Sequence, residues 1–288
     1  MSNYPANNCL LSIIMPVYNA GQYIETVLQS IALQTFSNYE LVVLDALSTD
    51  GTKEIVEARQ KEDQRVRLIS EKDNGIYDAM NKGVASAKGE WVYFMGCDDG
   101  FYDASVLERL FYSLTEEYDL VYGDVLWVPD EVIEKGTCMP TDLINRNINH
   151  QRIFYRRTLF QQYGGYDLQY RIASDHELNI RFFCSTAIRK KYVPYTVARY
   201  HSGGFSANKV DEVFWNNWKE IFKKNFAQHL PAKIMYDKLG WYCRCLIDQQ
   251  QYAKAAPIFF DVLVHTLSPG FVKLTMEQYF KSRKLHAG

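Results

Sequence analysis

The first hundred residues alternate short apolar runs with longer segments of helical period. The runs are rich in Val, Ile and Leu, which is typical of strands buried on both faces of a parallel sheet. The pattern predicts a β-α-β-α-β-α-β order and an α/β fold with crossover helices. The predicted strands cover residues 10–15, 39–44, 66–70 and 91–95, and the predicted helices cover 21–34, 49–61 and the segment of Ile76, Met80, Val84 and Ala87.

After residue 100 the pattern becomes mixed. Helices over 105–115 and 175–184 and strands within 120–128 predict a second α/β half, and the chain from Asp211 onward reads as helical. With 288 residues and a 47% apolar share, the chain can bury the core of one large domain, alone or with an appendage.

The segment from residue 209 onward is basic, with 12 Lys and Arg against 7 Asp and Glu. Its net charge of +5, against −7 for the residues before it, indicates an anionic partner. Four aromatic residues recur there at steps of three and four: Trp215, Trp218, Phe222 and Phe226. Such a stripe is typical of a core face, and a membrane surface is the alternative. Nucleic-acid binding has no comparable support, because the basic residues are not interleaved with a known module.

The sequence also indicates the cellular compartment of the protein. No stretch approaches the roughly 18 uncharged apolar residues of a spanning helix, and residues 1–9 lack the layout of a signal peptide. The six cysteines are scattered and form no paired C-x-x-C zinc pattern, so we interpret them as reduced thiols. We therefore expect a cytoplasmic protein, in contact with the inner face of the membrane if the C-terminal segment binds lipid.

Polar residues follow all four predicted strands. They occupy residues 16–19, 45–50, 71–75 and 96–99. Ligands of open α/β sheets bind at the carboxyl ends of the strands, so we expect these segments to meet at one rim. Two of these residues, Asp98 and Asp99, form an acidic pair that suits a hard divalent cation. The alternative is a turn in which one of them caps the next helix and Gly100 completes the turn.

Four segments together resemble family 2 glycosyltransferases: SIIMPVYNAGQYI, LVVLDALSTDGT, EKDNGIYDAMNKGVASAKGEWVYFMGCDD and IASDHELNIRF. They follow the order and spacing of the family motifs, and the third is most similar to the branch that builds bacterial surface polysaccharides. The resemblance implies a GT-A fold over residues 1–208, with a nucleotide-sugar half over about 1–100 and an acceptor half over about 101–208. Residues 209–288 would form a helical C-terminal region.

The resemblance also implies the donor contacts. Those for base, ribose and phosphates are Pro16, Tyr18, Asn19, Asp45, Lys72, Asp73, Gly75, Asn81 and Asp98. Without the resemblance, Pro16 would end a strand and Asp45 would turn the chain into a helix. The chain departs from the common family pattern at Ala46, Leu47, Met80 and Gly96.

By the same resemblance Asp99 is the ligand of Mn²⁺ or Mg²⁺, with Asp98 beside it, and Asp175 is the catalytic base. A structural alternative exists for Asp175, because Ser174 and Glu177 have capping-box spacing. The residues implied on the acceptor side or in a lid are His150, Gln151, His201, Gly203 and Gly204.

The implied reaction transfers a sugar from a nucleotide donor, preferably a UDP-sugar, to a saccharide or lipid-linked saccharide with inversion. A binding protein without turnover is the first alternative, favoured by Ala46, Met80 and Gly96. A nucleotidyltransferase is the second, but it should carry a glycine-rich basic loop after the first strand, and residues 18–22 do not form one. A glycosidase would not need a metal-phosphate site.

Overall fold

A computed structural model describes residues 9–113, 117–201, 210–228 and 230–285. The chain divides into two compact units, Met1–Val210 and Asp211–Gly288. The predicted α/β class is confirmed for the first unit, which is built around a curled and mainly parallel sheet.

The first unit contains these strands and helices in its described part. The strands are β1 (Leu11–Val17), β2 (Tyr39–Asp45), β3 (Val66–Ser70), β4 (Trp91–Phe94), β5 (Gly100–Phe101), β6 (Leu120–Val128), β7 (Val132–Glu134), β8 (Ile153–Arg156) and β9 (Lys190–His201). The helices are α1 (Ile24–Ala32), α2 (Thr52–Glu62), α3 (Ile76–Ser86), α4 (Val106–Ser113), α5 (Arg157–Tyr163) and α6 (Ser174–Cys184), and Pro140–Ile144 and His150–Arg152 are short 3₁₀ turns.

The strand order is β3-β2-β1-β4-β8-β6-β9-β5, with β7 paired to β6. The first four strands are parallel, whereas β8 is antiparallel to both β4 and β6. Every residue of β1 and β2 is buried, because α1 packs on one face of these strands and α3 packs on the other. The predicted β-α order of the first hundred residues is therefore confirmed, and its polar strand ends lie at one rim.

The long strand β9 was not expected from the sequence. It pairs with β6 through a register shift near Asp124 and with β5 at its other edge. Its side chains are charged or aromatic at many positions, and few are fully buried. Because hydrophobic periodicity is weak in such a strand, the pattern that identified β1 and β2 is missing here.

The second unit consists of helices in its described part: α7 (Glu212–Asn216), α8 (Trp218–Asn225), α9 (Ala232–Asp248), α10 (Tyr252–Thr266) and α11 (Pro269–Leu285). Trp218, Phe222 and Phe226 are each at most 2% exposed. Trp215 packs on Trp218 and on Trp241 of α9. The aromatic stripe is therefore a core face rather than a membrane surface. No helix in the described ranges is long and apolar enough to cross a bilayer.

Candidate functional site

The ends of β1 and β2 are joined by Asn19. Its backbone N–H donates to Ser48 Oγ at 2.9 Å, and its Oδ1 accepts from the backbone N–H of Thr49 at 3.0 Å. Asn19 has a positive φ of 51°, a conformation that Asn tolerates better than most residues. Both predicted donor segments therefore meet, with Tyr18 next to them at 65% exposure.

Asp45 lies at the end of β2 and is only 1% exposed. Its Oδ2 accepts from the Ser70 hydroxyl at 2.7 Å, and its Oδ1 accepts from the backbone N–H of Ser48 at 3.1 Å. The carboxylate thus fastens β2 to the end of β3 and closes the turn after its own strand. Pro16 is also buried, within β1. In this structure Tyr18 and Asn19, rather than Pro16 or Asp45, present exposed side chains at the rim.

The segment after β3 leads into α3. Asp73 Oδ1 accepts from the backbone N–H of Gly75 at 2.9 Å, and Gly75 directly precedes α3 with a φ of 114°. Glycine suits this backbone, and it leaves the helix N-terminus, a natural phosphate site, without a covering side chain. Lys72 is exposed beside it, and its carbonyl accepts from Lys82 Nζ at 2.9 Å.

Asn81 has a structural role in this geometry. Its Nδ2 donates to the Tyr166 carbonyl at 2.8 Å, and its Oδ1 accepts from the Tyr166 backbone N–H at 2.9 Å. Both polar atoms of the amide are used to join α3 to the segment after α5. A phosphate contact from Asn81 stays a prediction.

Asp99 is the buried member of the acidic pair, at 6% exposure. Its Oδ1 accepts from the His201 backbone N–H at 2.7 Å, and its Oδ2 accepts a short hydrogen bond from Gln151 Nε2. Burial and, to a smaller extent, the nearby Asp98 raise the pKa of Asp99 from 3.8 to about 7, although the hydrogen bonds from His201 and Gln151 act in the opposite direction. A cation beside this carboxylate would lower that pKa and stabilise its ionised form.

Gly96 stands where the family commonly has an acid, and the structure gives the reason for the glycine. A Cβ at this position would collide with Asp99 Oδ2 and would lie 3.0 Å from Gln151 Nε2. The glycine therefore makes room for the hydrogen bond between Gln151 and Asp99. The contact between Gln151 and Asp99 could not be read from the motif alone.

The acidic pair fits a hard divalent cation. Gln151, whose Nε2 contacts Asp99, is fully buried, and its Oε1 has no hydrogen-bond partner among the described residues; an unpartnered buried oxygen fits a site that binds a cation. Within the described residues no group of three or more His, Cys, Asp or Glu side chains is arranged to hold a metal ion, so these side chains alone do not complete a site. Mg²⁺ and Mn²⁺ accept oxygen ligands, and Mg²⁺ is commonly held by one or two carboxylates plus phosphate oxygens. These residues would suit such an open site.

Asp175 lies in the first turn of α6 and is partly buried. Its Oδ1 accepts from the Tyr77 hydroxyl at 3.0 Å and from the His176 backbone N–H at 2.8 Å, and its Oδ2 accepts from Asn147 Nδ2 at 2.8 Å. Burial raises the pKa of Asp175 from 3.8 to about 6, while these donors act in the opposite direction. A carboxylate with this pKa is largely ionised at neutral pH and is a stronger base than an exposed Asp.

The predicted capping box at α6 is wrong. The helix begins at Ser174, whose buried Oγ has no hydrogen-bond partner, and Ala173 at the N-cap supplies no side-chain bond. Glu177 instead forms an ion pair with Arg181 at 2.7 Å, one turn later. The side-chain donors that hold the Asp175 carboxylate, Tyr77 and Asn147, therefore come from other parts of the chain and not from a capping box of its own helix.

Tyr200 of β9 interacts with all three carboxylates. Burial and, to a smaller extent, the charges of Asp99, Asp175 and Asp98 together raise the pKa of Tyr200 to about 12. The spacing of the motifs along the chain gives no sign of this tyrosine. Tyr77 lies inside a motif quoted above, but its contact with Asp175 requires the fold.

The residues predicted for the acceptor side or a lid do not form one group in the structure. Gln151 and His201 contact Asp99, and the His201 ring lies beside it with Nδ1 3.6 Å from Oδ1. Burial lowers the pKa of His150 to about 4, so its imidazole is neutral at physiological pH. Gly203 and Gly204 lie outside the described residues.

Known proteins match the chain over most of this unit. The model of glycosyl transferase family 2 matches residues 12–193. A PGL/p-HBAD biosynthesis glycosyltransferase of Mycobacterium bovis is 41% identical over 211 residues, which cover 71% of this chain and 82% of that protein. EpsJ of Bacillus subtilis, an uncharacterized glycosyltransferase, is 28% identical over 268 residues, covering 84% and 74%.

Solved structures share the fold at lower identity. S. aureus TarS in complex with UDP-GlcNAc has a TM-score of 0.69 at 18% identity, covering 88% of this chain and 79% of that chain. The mannosyltransferase PcManGT of Pyrobaculum calidifontis, in complex with GDP-Man and Mn²⁺, has a TM-score of 0.54 at 16% identity, covering 97% and 87%. These similarities confirm the predicted GT-A fold. Together with the matched family model they show that the chain is a glycosyltransferase of family 2.

Proposed function

We propose that the protein transfers a sugar from a nucleotide donor to an acceptor hydroxyl by a single inverting displacement that depends on a divalent cation. One observation carries the proposal: Asp175 is a partly buried carboxylate with a pKa of about 6, and it interacts with the same side chain, Tyr200, as the acidic pair of Asp98 and Asp99. A base of raised pKa and a separate cation site are the two functions that such a transfer needs.

The donor is proposed to lie along the rim formed by the ends of β1, β2 and β3. Tyr18 and Asn19 are the exposed groups for the base and ribose, and Lys72 and the start of α3 after Gly75 suit the phosphates. A UDP-sugar is favoured because TarS, with the higher TM-score of the two structures described above, binds UDP-GlcNAc. PcManGT binds GDP-Man, so the base is the first property to test.

Asp99 and Asp98 would hold Mn²⁺ or Mg²⁺, with Gln151 orienting the Asp99 carboxylate. The bound cation would neutralise the charge that develops on the departing diphosphate. Gln151 donates to Oδ2 and the His201 backbone N–H donates to Oδ1, so both oxygens of Asp99 are fixed before a donor binds. Such preorganisation lowers the reorganisation cost of the reaction.

Asp175 would take the proton from the acceptor hydroxyl as that oxygen attacks the anomeric carbon. Direct attack from the face opposite the leaving group inverts the configuration at that carbon. Tyr77 and Asn147 keep the carboxylate in one orientation. The raised pKa of Asp175 increases its proton affinity without neutralising most of it at pH 7.

The acceptor is proposed to be a saccharide or lipid-linked saccharide in surface polysaccharide or glycolipid synthesis, as the relatives' names suggest. Membrane contact is proposed through the exposed apolar residues Phe260 and Val264 of α10 and Leu267 directly after it. The next helix, α11, carries the exposed Lys273 and Lys281. Sedimentation with anionic vesicles tests this contact. Phe260→Ser should weaken it, Tyr112→Ser on α4 is the matched exposed control, and no binding by the unaltered protein would contradict it.

The function is tested by measuring transfer or donor hydrolysis across a panel of UDP-, GDP- and dTDP-sugars with Mn²⁺ or Mg²⁺. The unaltered chain should turn over one donor in a metal-dependent manner, and Asp99→Ala and Asp175→Asn should lose that turnover. Donor binding that requires Asp99, but without turnover when lipid-linked acceptors are supplied, would favour a binding protein. Full activity of Asp175→Asn would remove Asp175 from the mechanism.

A further inference from the structure

A chain of side-chain amides connects Asp175 to the interior of α6. Asn147 Nδ2 donates to Asp175 Oδ2 at 2.8 Å, and Asn147 Oδ1 accepts from Asn179 Nδ2 at 2.9 Å. Asn179 is fully buried and lies one turn after Asp175 on the same helix. The amide of Asn147 therefore bridges two residues of α6 from a separate segment of the chain.

The direction of these hydrogen bonds is fixed by a backbone group. The Ile148 carbonyl can only accept, and it accepts from Asn179 Nδ2 at 3.1 Å. The Tyr155 hydroxyl donates to Asn179 Oδ1 at 3.2 Å, in agreement with this orientation. Asn179 thus presents N–H to Asn147 Oδ1, and the Nδ2 of Asn147 must face Asp175.

We infer that Asn147 is a positioning residue for the base, held by Asn179 so that an N–H group always faces Asp175 Oδ2. The inference rests on the proposed role of Asp175. The segment that starts at Asn147 ends at Gln151, which donates to Asp99. Residues 147–151 therefore contact both the base and the proposed metal ligand, and a displacement of this segment would disturb both.

The neighbours of Asp175 explain why we expect a neutral amide to affect its pKa. Among the described residues, the titratable groups found to interact with this carboxylate are tyrosines: Tyr77 of α3, Tyr155 of β8, Tyr166 after α5 and Tyr200 of β9. In the part of the chain that the structure describes, no Lys or Arg forms an ion pair with Asp175. Hydrogen-bond donors, rather than cations, therefore oppose the effect of burial on its pKa.

The test is the pH dependence of kcat/KM for release of the nucleoside diphosphate, with the donor that the panel identifies. Asn147→Ala removes one donor to the ionised Asp175 carboxylate. The acid limb of the profile, where kcat/KM falls as Asp175 is protonated, should therefore move to higher pH by about one unit. Asn147→Asp keeps the shape but places a second carboxylate against Asp175, and should move the limb further. Asn145→Ala, at an exposed asparagine two residues before Asn147, is the matched control and should leave the acid limb unchanged.

Melting temperatures of all variants show whether each one folds, and the isosteric Asn147→Asp keeps the test valid if the alanine variant does not. The inference is supported if the acid limb stays in place in Asn145→Ala, moves to higher pH in Asn147→Ala and moves further in Asn147→Asp. An unchanged acid limb in both Asn147 variants, with Asp175→Asn inactive, overturns the inference and leaves the proposed function intact. Activity in Asp175→Asn would instead contradict the proposed function itself.

Discussion

Replacing Asp175 by Asn should make the protein more stable at pH 8 while it removes activity. In the native state the carboxylate is ionised in a partly buried place, where its pKa is raised from 3.8 to about 6. A shift of about two units corresponds to roughly 3 kcal/mol of destabilisation of the ionised native state at high pH. Partial solvent exposure reduces this figure, so we expect about 1–2 kcal/mol for the neutral Asn.

The sign follows from proton binding. At pH 8 both the native and the unfolded chain carry an ionised Asp175, and only the native chain bears the cost of burying it. As the pH falls through about 6, the native carboxylate takes up a proton before the unfolded one does, and the cost disappears. The stability difference between Asp175→Asn and the unaltered chain should therefore be largest near pH 8 and vanish near pH 4.

Differential scanning fluorimetry from pH 4 to 8 measures this difference without a donor or acceptor. The Asn variant should melt about 3–6 °C higher at pH 8. Asp130→Asn, at an exposed aspartate, is the control and should show no pH-dependent difference. A variant that is less stable at pH 8, or a difference that does not change with pH, would refute the reasoning.

Three further predictions follow from the same site. The kcat/KM of the unaltered enzyme should fall about tenfold for each pH unit below about 6, because protonated Asp175 is no longer a base. A kcat/KM that does not change from pH 5 to 8 would exclude Asp175 as the base. Gly96→Ala should lower the free energy of unfolding in urea by about 1–3 kcal/mol, because its Cβ would meet Asp99 and Gln151, and an unchanged midpoint would mean that the site relaxes freely. Asn81→Ala should cost about 1–3 kcal/mol in the same assay through the two lost bonds to Tyr166, whereas weaker donor binding at unchanged stability would favour the phosphate role.

Much of the first hundred residues was predictable from the sequence. Strands β1 and β2 are buried on both faces, so they appear as continuous apolar runs, and the polar segments after them mark the rim. The family motifs then pointed to Asp99 and Asp175. The ends of the elements were less certain: α2 begins at Thr52 because Gly51 has a φ of 90°, which local periodicity does not reveal.

The hydrogen bonds that position the side chains of the site could not be predicted from the sequence. Asn147 and Gln151 belong to a segment without strong periodicity, and their partners lie 28 and 52 residues away. The capping box failed for the same reason, because spacing within α6 cannot show that Ser174 is buried. Local patterns predict helices and strands, whereas the hydrogen-bond partners of a buried carboxylate depend on which segments the fold brings together.

The most direct test of the account is the anomeric configuration of the product, determined by NMR spectroscopy after transfer from the active donor. A single displacement with Asp175 as the base predicts that the configuration is inverted relative to the donor. A product with retained configuration would contradict the account, because it requires two successive displacements or attack from the face of the leaving group.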